Sequence, residues 1–343
     1  MSQSVMRLKA EFLGAASVVG SKENEGPLGA CFDRHGEDDR FGQKTWEAAE
    51  SELQRRAFAQ VLAKTGRKDA DVDLLFAGDL LNQCVASAYG LIASDIPYCG
   101  LYGACSTVAE GILLASLALT AGGVACAGVV TSSHYCAAER QYRTPLEYGA
   151  QRSPTAQWTV TGAGAFLLGP AKGSDVRVTR GVFGKVHDSG VSDAGNMGAA
   201  MAGAAADTLL RFLGESGEAP DSYDRIVTGD LGFEGGDLFC AFLDAAGCSL
   251  GERYADCGRM IYDRERQDVH SGGSGCGCSA VTLAGYFLPR LRSGEYRRIL
   301  FLPTGALMSP DSLKQKRTIP AVAHLIELEA PRTDRDRVSE RKV

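Results

Sequence analysis

Apolar and polar positions along this chain follow two alternating periods. From Trp46 to Lys64, apolar residues recur every three or four positions among Ala, Glu, Gln and Arg, which predicts a long amphipathic helix. Asp73–Gly78 and Arg225–Gly229 are short apolar runs that stop at a glycine and read as buried strands. Thr161–Leu168 reads as another strand entering the core, and Ala199–Phe212 as a small-residue helix. One segment imitates a membrane span: Gly111 through Ser133 carries no formal charge. Gly122-Gly123 interrupts it, with a helix-like half at Ile112–Leu119 and a β-branched half at Val124–Val130, so helix, turn and strand fit better than a span. Helices and buried strands alternate throughout, which points to an α/β fold.

The pattern also repeats. Leu75–Leu80 resembles Ile226–Leu231, and Ala127–Thr131 resembles Leu300–Thr304. Cys105-Ser106-Thr107 and its apolar helix resemble Cys278-Ser279-Ala280 and the helix after it. Cys105 and Cys278 lie 173 positions apart, as do Thr131 and Thr304, against 151 for Asp79 and Asp230. The second copy therefore holds about 22 extra residues between its Gly-Asp strand end and its Cys-Ser turn. A duplicated α/β unit is expected, with halves at 1–170 and 171–329 and a charged tail at 330–343.

Composition narrows the function. The 343 residues are 45% apolar, enough for a large core, and the net charge of −6 argues against a nucleic-acid partner. Eleven cysteines without framework spacing read as reduced thiols. No signal peptide is expected: the apolar stretch Phe12–Val19 is short, has Glu11 at its edge and is followed by a polar run.

Cys105 stands out chemically. It lies in a Gly/Ala/Cys/Ser turn opening a helix, where partial positive charge stabilises a thiolate. It fits three roles: a nucleophile, part of a pocket wall, or a small buried hydrophobe. Asp79 and Asp230 each follow a strand-ending glycine, and helix N-capping is the favoured expectation for both. Cys276-Gly277-Cys278 with Cys257 and His270 lacks the spacing of a common zinc motif, so no metal site is expected. The glycines at 272, 273, 275 and 277 lack a following P-loop lysine and suit close packing.

A duplicated α/β unit with a helix-capping cysteine in its first half resembles the thiolase fold of thiolases and ketoacyl synthases. That resemblance implies partner residues for the cysteine from the second half. Where those enzymes carry His or Asn, this chain has Gly229-Asp230 and Gly277, and where thiolases carry a second cysteine it has Thr304. A lone cysteine without a base or oxyanion hole is a poor acyltransferase.

Within that fold, the strings Thr131–Tyr142, Pro145–Gly149, Pro154–Gly162, Gly272–Ala280 and Thr304–Pro310 resemble the stage V sporulation protein AD family. The resemblance implies a non-catalytic protein, without cofactor, that binds dipicolinic acid or its calcium chelate. It further implies uptake of that ligand into the forespore and its release at germination. The expected location is peripheral, on the cytoplasmic face of a membrane and at the spore inner membrane, beside integral-membrane sporulation partners. A homodimer is expected on the same ground. Ligand-binding residues on this reading are Cys105, His134, Thr304, Asp230, Arg140 and Arg143. Arg140, Arg143 and Arg152 are the candidate counter-charges for a dicarboxylate, because the planar guanidinium matches a carboxylate. His134 suits either the pocket mouth or a loop anchor, and Trp158 either a stacking platform or a buried indole. Asp79 and Asp230 offer oxygens for calcium as the minor alternative to capping. The functional alternative is a cysteine-dependent acyltransferase of the thiolase or ketoacyl synthase type.

Overall fold

Side chains alternate between the two faces of each strand, and this sorts them into separate cores that set the layering. The computed structural model describes residues 4–142 and 151–331. Most of the charged tail lies outside the described residues, as do Arg143 and the Pro145–Gly149 string.

The first half contributes strands β1 (Met6–Val19), β2 (Leu74–Gly78), β3 (Tyr98–Gly100), β4 (Ala127–Ser133) and β5 (Gly162–Pro170). The second contributes β6 (Arg177–Val182), β7 (Arg225–Thr228), β8 (Tyr254–Asp256), β9 (Arg298–Leu302) and β10 (Leu325–Glu329). They hydrogen-bond in the order β3-β2-β4-β5-β1-β6-β10-β9-β7-β8, and a short strand at Arg34–His35 also pairs with β1. Each first-half strand thus has a counterpart five labels later. Pairing sense repeats too: β2 is parallel to β3 and β4, as β7 is to β8 and β9. The halves meet where β1 and β6 run antiparallel.

Helix α1 (Trp46–Thr65) starts at Thr45, whose hydroxyl accepts from the Ala48 amide, and stops at Gly66 with φ 65°. It packs Leu53, Ala57 and Val61 against Val18, Val130 and Leu167 in one outer core. Its counterpart is α5 (Met197–Ser216), capped by Asn196, which buries Ala205, Leu209 and Phe212 in the other outer core. Between them lies a central core built from both halves. It holds Phe12, Val129 and Phe166 with Phe301 and Leu328, around Ile112 of α3 (Thr107–Thr120) and Val281 of α7 (Cys276–Thr282). So Val129 faces inward and Val130 outward on one strand.

The apolar stretch 111–133 resolves into α3, a turn and β4. No helix among the described residues is long and apolar enough to cross a membrane. The second half's extra length lies partly in α6 (Gly232–Ala245), with 14 residues against 7 for its counterpart α2 (Val85–Leu91). The remainder includes a one-turn helix at Cys257–Met260 and the pair Gly273–Ser274, which hydrogen-bonds Trp158–Thr159 of the first half.

Candidate functional site

Cys105 sits in the turn before α3, and that turn is tightly tied. The Ser106 hydroxyl donates to Gly103 O at 2.6 Å and the Thr107 hydroxyl to Ala104 O at 2.6 Å. Ala104 takes φ 48°, a left-handed backbone costing about 1–2 kcal/mol for a residue with a Cβ. Such strain persists only where the surroundings hold it.

Cys105 is buried and forms part of the wall of a cavity of about 380 Å³. The Asp230 carboxylate faces its thiol. Asp230 is fully enclosed: Oδ1 accepts from the Thr304 hydroxyl at 2.7 Å, and Oδ2 from the Gly275 amide at 3.1 Å. Burial, reinforced by Asp230, pushes the Cys105 thiol well above its ordinary range. Burial also raises Asp230 to about 7, against lowering contributions from Thr304, Cys105 and Gly275. The pair therefore retains protons, the opposite of an activated thiolate.

Of the two places where the resemblance implies His or Asn, Gly277 is closed by backbone, while Gly229-Asp230 brings a carboxyl on the residue after its glycine. A Cβ on Gly277 would collide with Gly162 O, and one on Gly229 would lie 2.9 Å from Pro303 Cα.

Helix α4 (Tyr135–Tyr142) supplies another wall through Ala138, Glu139 and Tyr142. The stretch after β4 reads as a loop in the sequence, and the structure makes it a helix. Tyr142 Oη donates to Leu80 O at 2.5 Å and lies 3.0 Å from Tyr102 Oη, which joins α4 to the loop after β2. Ser153, Gln157, Thr159 and Ser274 bring polar groups, and Met197 and Met308 close the apolar side. Glu139 and Gln157 fall inside the family-like strings, yet nothing in their spacing marks them as cavity residues.

Several expected binding residues lie elsewhere. His134 is buried off the cavity, with its Nε2 2.7 Å from Asp39 O and its ring against Trp46, so it anchors a loop. Burial holds its imidazole below the usual range. Arg140 points outward, 3.7 Å from Glu47, because it lies about 100° around the helix from Glu139. Arg152 pairs with Asp268 at 2.7 Å and sits over Trp158. Arg143 is outside the described residues. Thr304 and Asp230 stand behind Cys105 and do not line the cavity. Trp158 stacks at 3.7 Å on Tyr135, and that face is occupied.

Neither aspartate is an N-cap, since α2 starts from Cys84 and α6 from Leu231, but Asp79 reaches the first turn of α2 from outside it. Its carboxylate accepts from the Leu81 and Ser87 amides and the Ser87 hydroxyl, which secures the start of α2. At the equivalent place Asp256, not Asp230, accepts from the Leu231 and Gly232 amides at the start of α6. Asp230 is freed to face the cysteine. Cys276 Sγ donates to Ala104 O at 3.0 Å, across the halves, and Cys278 Sγ to Gly229 O at 3.5 Å, within the second half, so both thiols serve packing.

Comparison with known proteins places this architecture. Residues 2–329 match the family model described as Stage V sporulation protein AD. Stage V sporulation protein AD of Bacillus subtilis (strain 168) is 42% identical over 315 residues, spanning 92% of this chain and 93% of the relative. Among solved structures, a cysteine-to-alanine variant of Xanthomonas campestris OleA superposes with a TM-score of 0.62 at 14% identity, covering 96% of this chain and 99% of that one. The priming β-ketosynthase of the R1128 polyketide pathway gives 0.58 at 16% identity, covering 95% and 98%. The fold is thus thiolase-like, of the ketosynthase kind, and the structural likeness speaks to fold alone.

Proposed function

Because this chain belongs to the stage V sporulation protein AD family, we propose that it is a non-catalytic protein that holds dipicolinic acid, a planar pyridine dicarboxylate. On this reading it serves uptake of the ligand into the forespore and its release at germination. It works peripherally at the membrane, beside integral-membrane partners of the same system. The observation that carries the reading is the missing catalytic partners: Gly277 meets backbone where a side chain would stand and Gly229-Asp230 brings a carboxyl in place of an imidazole or amide, while the cavity in front of Cys105 stays open. A volume of about 380 Å³ lies in the range of small-molecule sites, and Tyr102 and Tyr142 offer aromatic surface to a flat ring.

Isothermal calorimetry of the folded chain with dipicolinate, with and without calcium, tests the reading. Saturable heat in at least one condition is expected, and none in either would overturn it. The rival acyltransferase is checked on the same sample by intact mass after incubation with acetyl- and malonyl-CoA. The mass should not change, whereas a Cys105-dependent adduct would favour the enzyme.

The chain is also proposed to work as a homodimer. Edge strand β3 is exposed along its length, beside the exposed Tyr89 and Ile92. An open edge flanked by apolar side chains is a pairing surface.

A further inference from the structure

The hydrogen-bonding pattern of β3 decides which of its groups face the open edge of the sheet. Strand β3 runs parallel to β2, with Leu75 against Tyr98 and Ala77 against Gly100. The Leu75 amide donates to Pro97 O, and the Leu101 amide to Ala77 O. In a parallel ladder bonded this way, the N–H and C=O of Cys99 turn toward β2. Those of Tyr98 and Gly100 turn the other way and stand unpaired along the edge.

Cys99 adds an independent observation. It is exposed, whereas the other ten cysteines are buried or half-buried. It is also the middle residue of the three-residue strand. The surface around it is apolar: Tyr89, Ile92, Tyr98 and Tyr102 are four of the seven exposed large apolar side chains among the described residues. An exposed thiol in such a patch is reactive and unprotected until something covers it.

We infer that β3 pairs antiparallel with β3 of a second copy in one particular register, with the two-fold axis beside Cys99, so that each Cys99 stands opposite its own counterpart. This rests on the reading of the chain as a homodimer. A residue beside a two-fold axis meets itself, and its neighbours meet each other crosswise. With Cys99 at the axis, Tyr98 lies opposite Gly100 of the second copy, and Gly100 opposite Tyr98 of the second copy. Each of those pairs exchanges both of its N–H···O bonds, so every outward group of the strand is used. With Tyr98 or Gly100 at the axis, that residue pairs with itself and the other is left beyond the end of the facing strand. The Cys99 register also sets a bulky ring against a residue without a side chain on both sides of the axis. This self-complementarity is what selects a second copy over an unrelated strand. Cys99 then occupies the place that makes no hydrogen bonds across the interface, where Cα atoms approach to about 4.5 Å. That separation lies within the range of roughly 4.4–6.8 Å that a disulfide spans.

The test is oxidation of the full chain with diamide, which takes up two electrons and two protons as two Cys99 thiols become one disulfide. Electrophoresis without reductant and peptide mapping by mass spectrometry read the product. A covalent dimer joined from Cys99 to Cys99 is expected. Cys99→Ser should abolish it and leave the non-covalent dimer intact in sedimentation. The double variant Ile92→Asp and Tyr98→Asp should lose the cross-link along with the dimer, and a cross-link that survived in it would come from chance collision and overturn the inference. A sedimenting wild-type dimer whose Cys99 does not cross-link would overturn the register while leaving the dimer standing. In that case Tyr98→Cys or Gly100→Cys, each made with Cys99→Ser, would cross-link instead. A wild-type monomer would remove the dimer and the register with it.

Discussion

A cysteine before a helix becomes a nucleophile only if its surroundings favour the thiolate, and those of Cys105 favour the thiol. The helix terminus is the one activating feature present. Burial and Asp230 oppose it, and both raise the pKa. Asp230 itself is raised from 3.8 to about 7 by burial, and Glu23, enclosed against Tyr262 and the Thr161 amide, is raised from 4.5 to about 7 for the same leading reason. For such groups the folded state binds more protons than the unfolded one between about pH 4 and 7. Their contribution to stability is fully present below about pH 4 and is lost as pH rises through about 7. Asp230→Asn removes one of these titrations, so the fall in Tm between pH 5 and pH 8 should be smaller than in the wild type. A fall of the same size would show that Asp230 is not held protonated.

Elements explain what single residues could not. The stretch 135–142 is helical, and helical direction separates Glu139 from Arg140 even though they are neighbours in sequence: one lines the cavity and the other faces Glu47. An arginine facing the ligand fits a loop and not this helix. The start of α7 is equally specific. Gly277 approaches Gly162 O so closely that Gly277→Ala should cost about 1–3 kcal/mol, seen as a lower urea midpoint with an unchanged slope. An unchanged midpoint would mean that the two backbones have room to part. The same crowding explains why a His or Asn cannot be restored there by one substitution.

At the scale of the whole molecule, the duplicated strand order leaves two ends that differ. Strand β3 is exposed at each of its three residues, Tyr98 at 42%, with Ile92 at 75% beside it, whereas Asp256 on β8 is buried at the opposite end. A homodimer through β3 should sediment at twice the 36.2 kDa of the chain. The double substitution Ile92→Asp and Tyr98→Asp should give a monomer with an unaltered far-UV circular dichroism spectrum. A wild-type monomer at tens of micromolar would refute the dimer.

The sequence by itself determined the α/β class, the repeat, the family and the main elements, because periodicity and long ordered strings are local in the chain. It also showed that the cysteine lacks its usual partners, since a glycine carries no side chain in any fold. Only the tertiary structure decided where side chains point. It moved His134 and Arg140 away from the cavity, placed Thr304 and Asp230 behind Cys105, and gave the amides at the start of α6 to Asp256. It also brought Glu139 and Gln157 to one wall. Those outcomes depend on helix direction and on contacts between residues far apart in the chain, which the spacing of residue types does not encode.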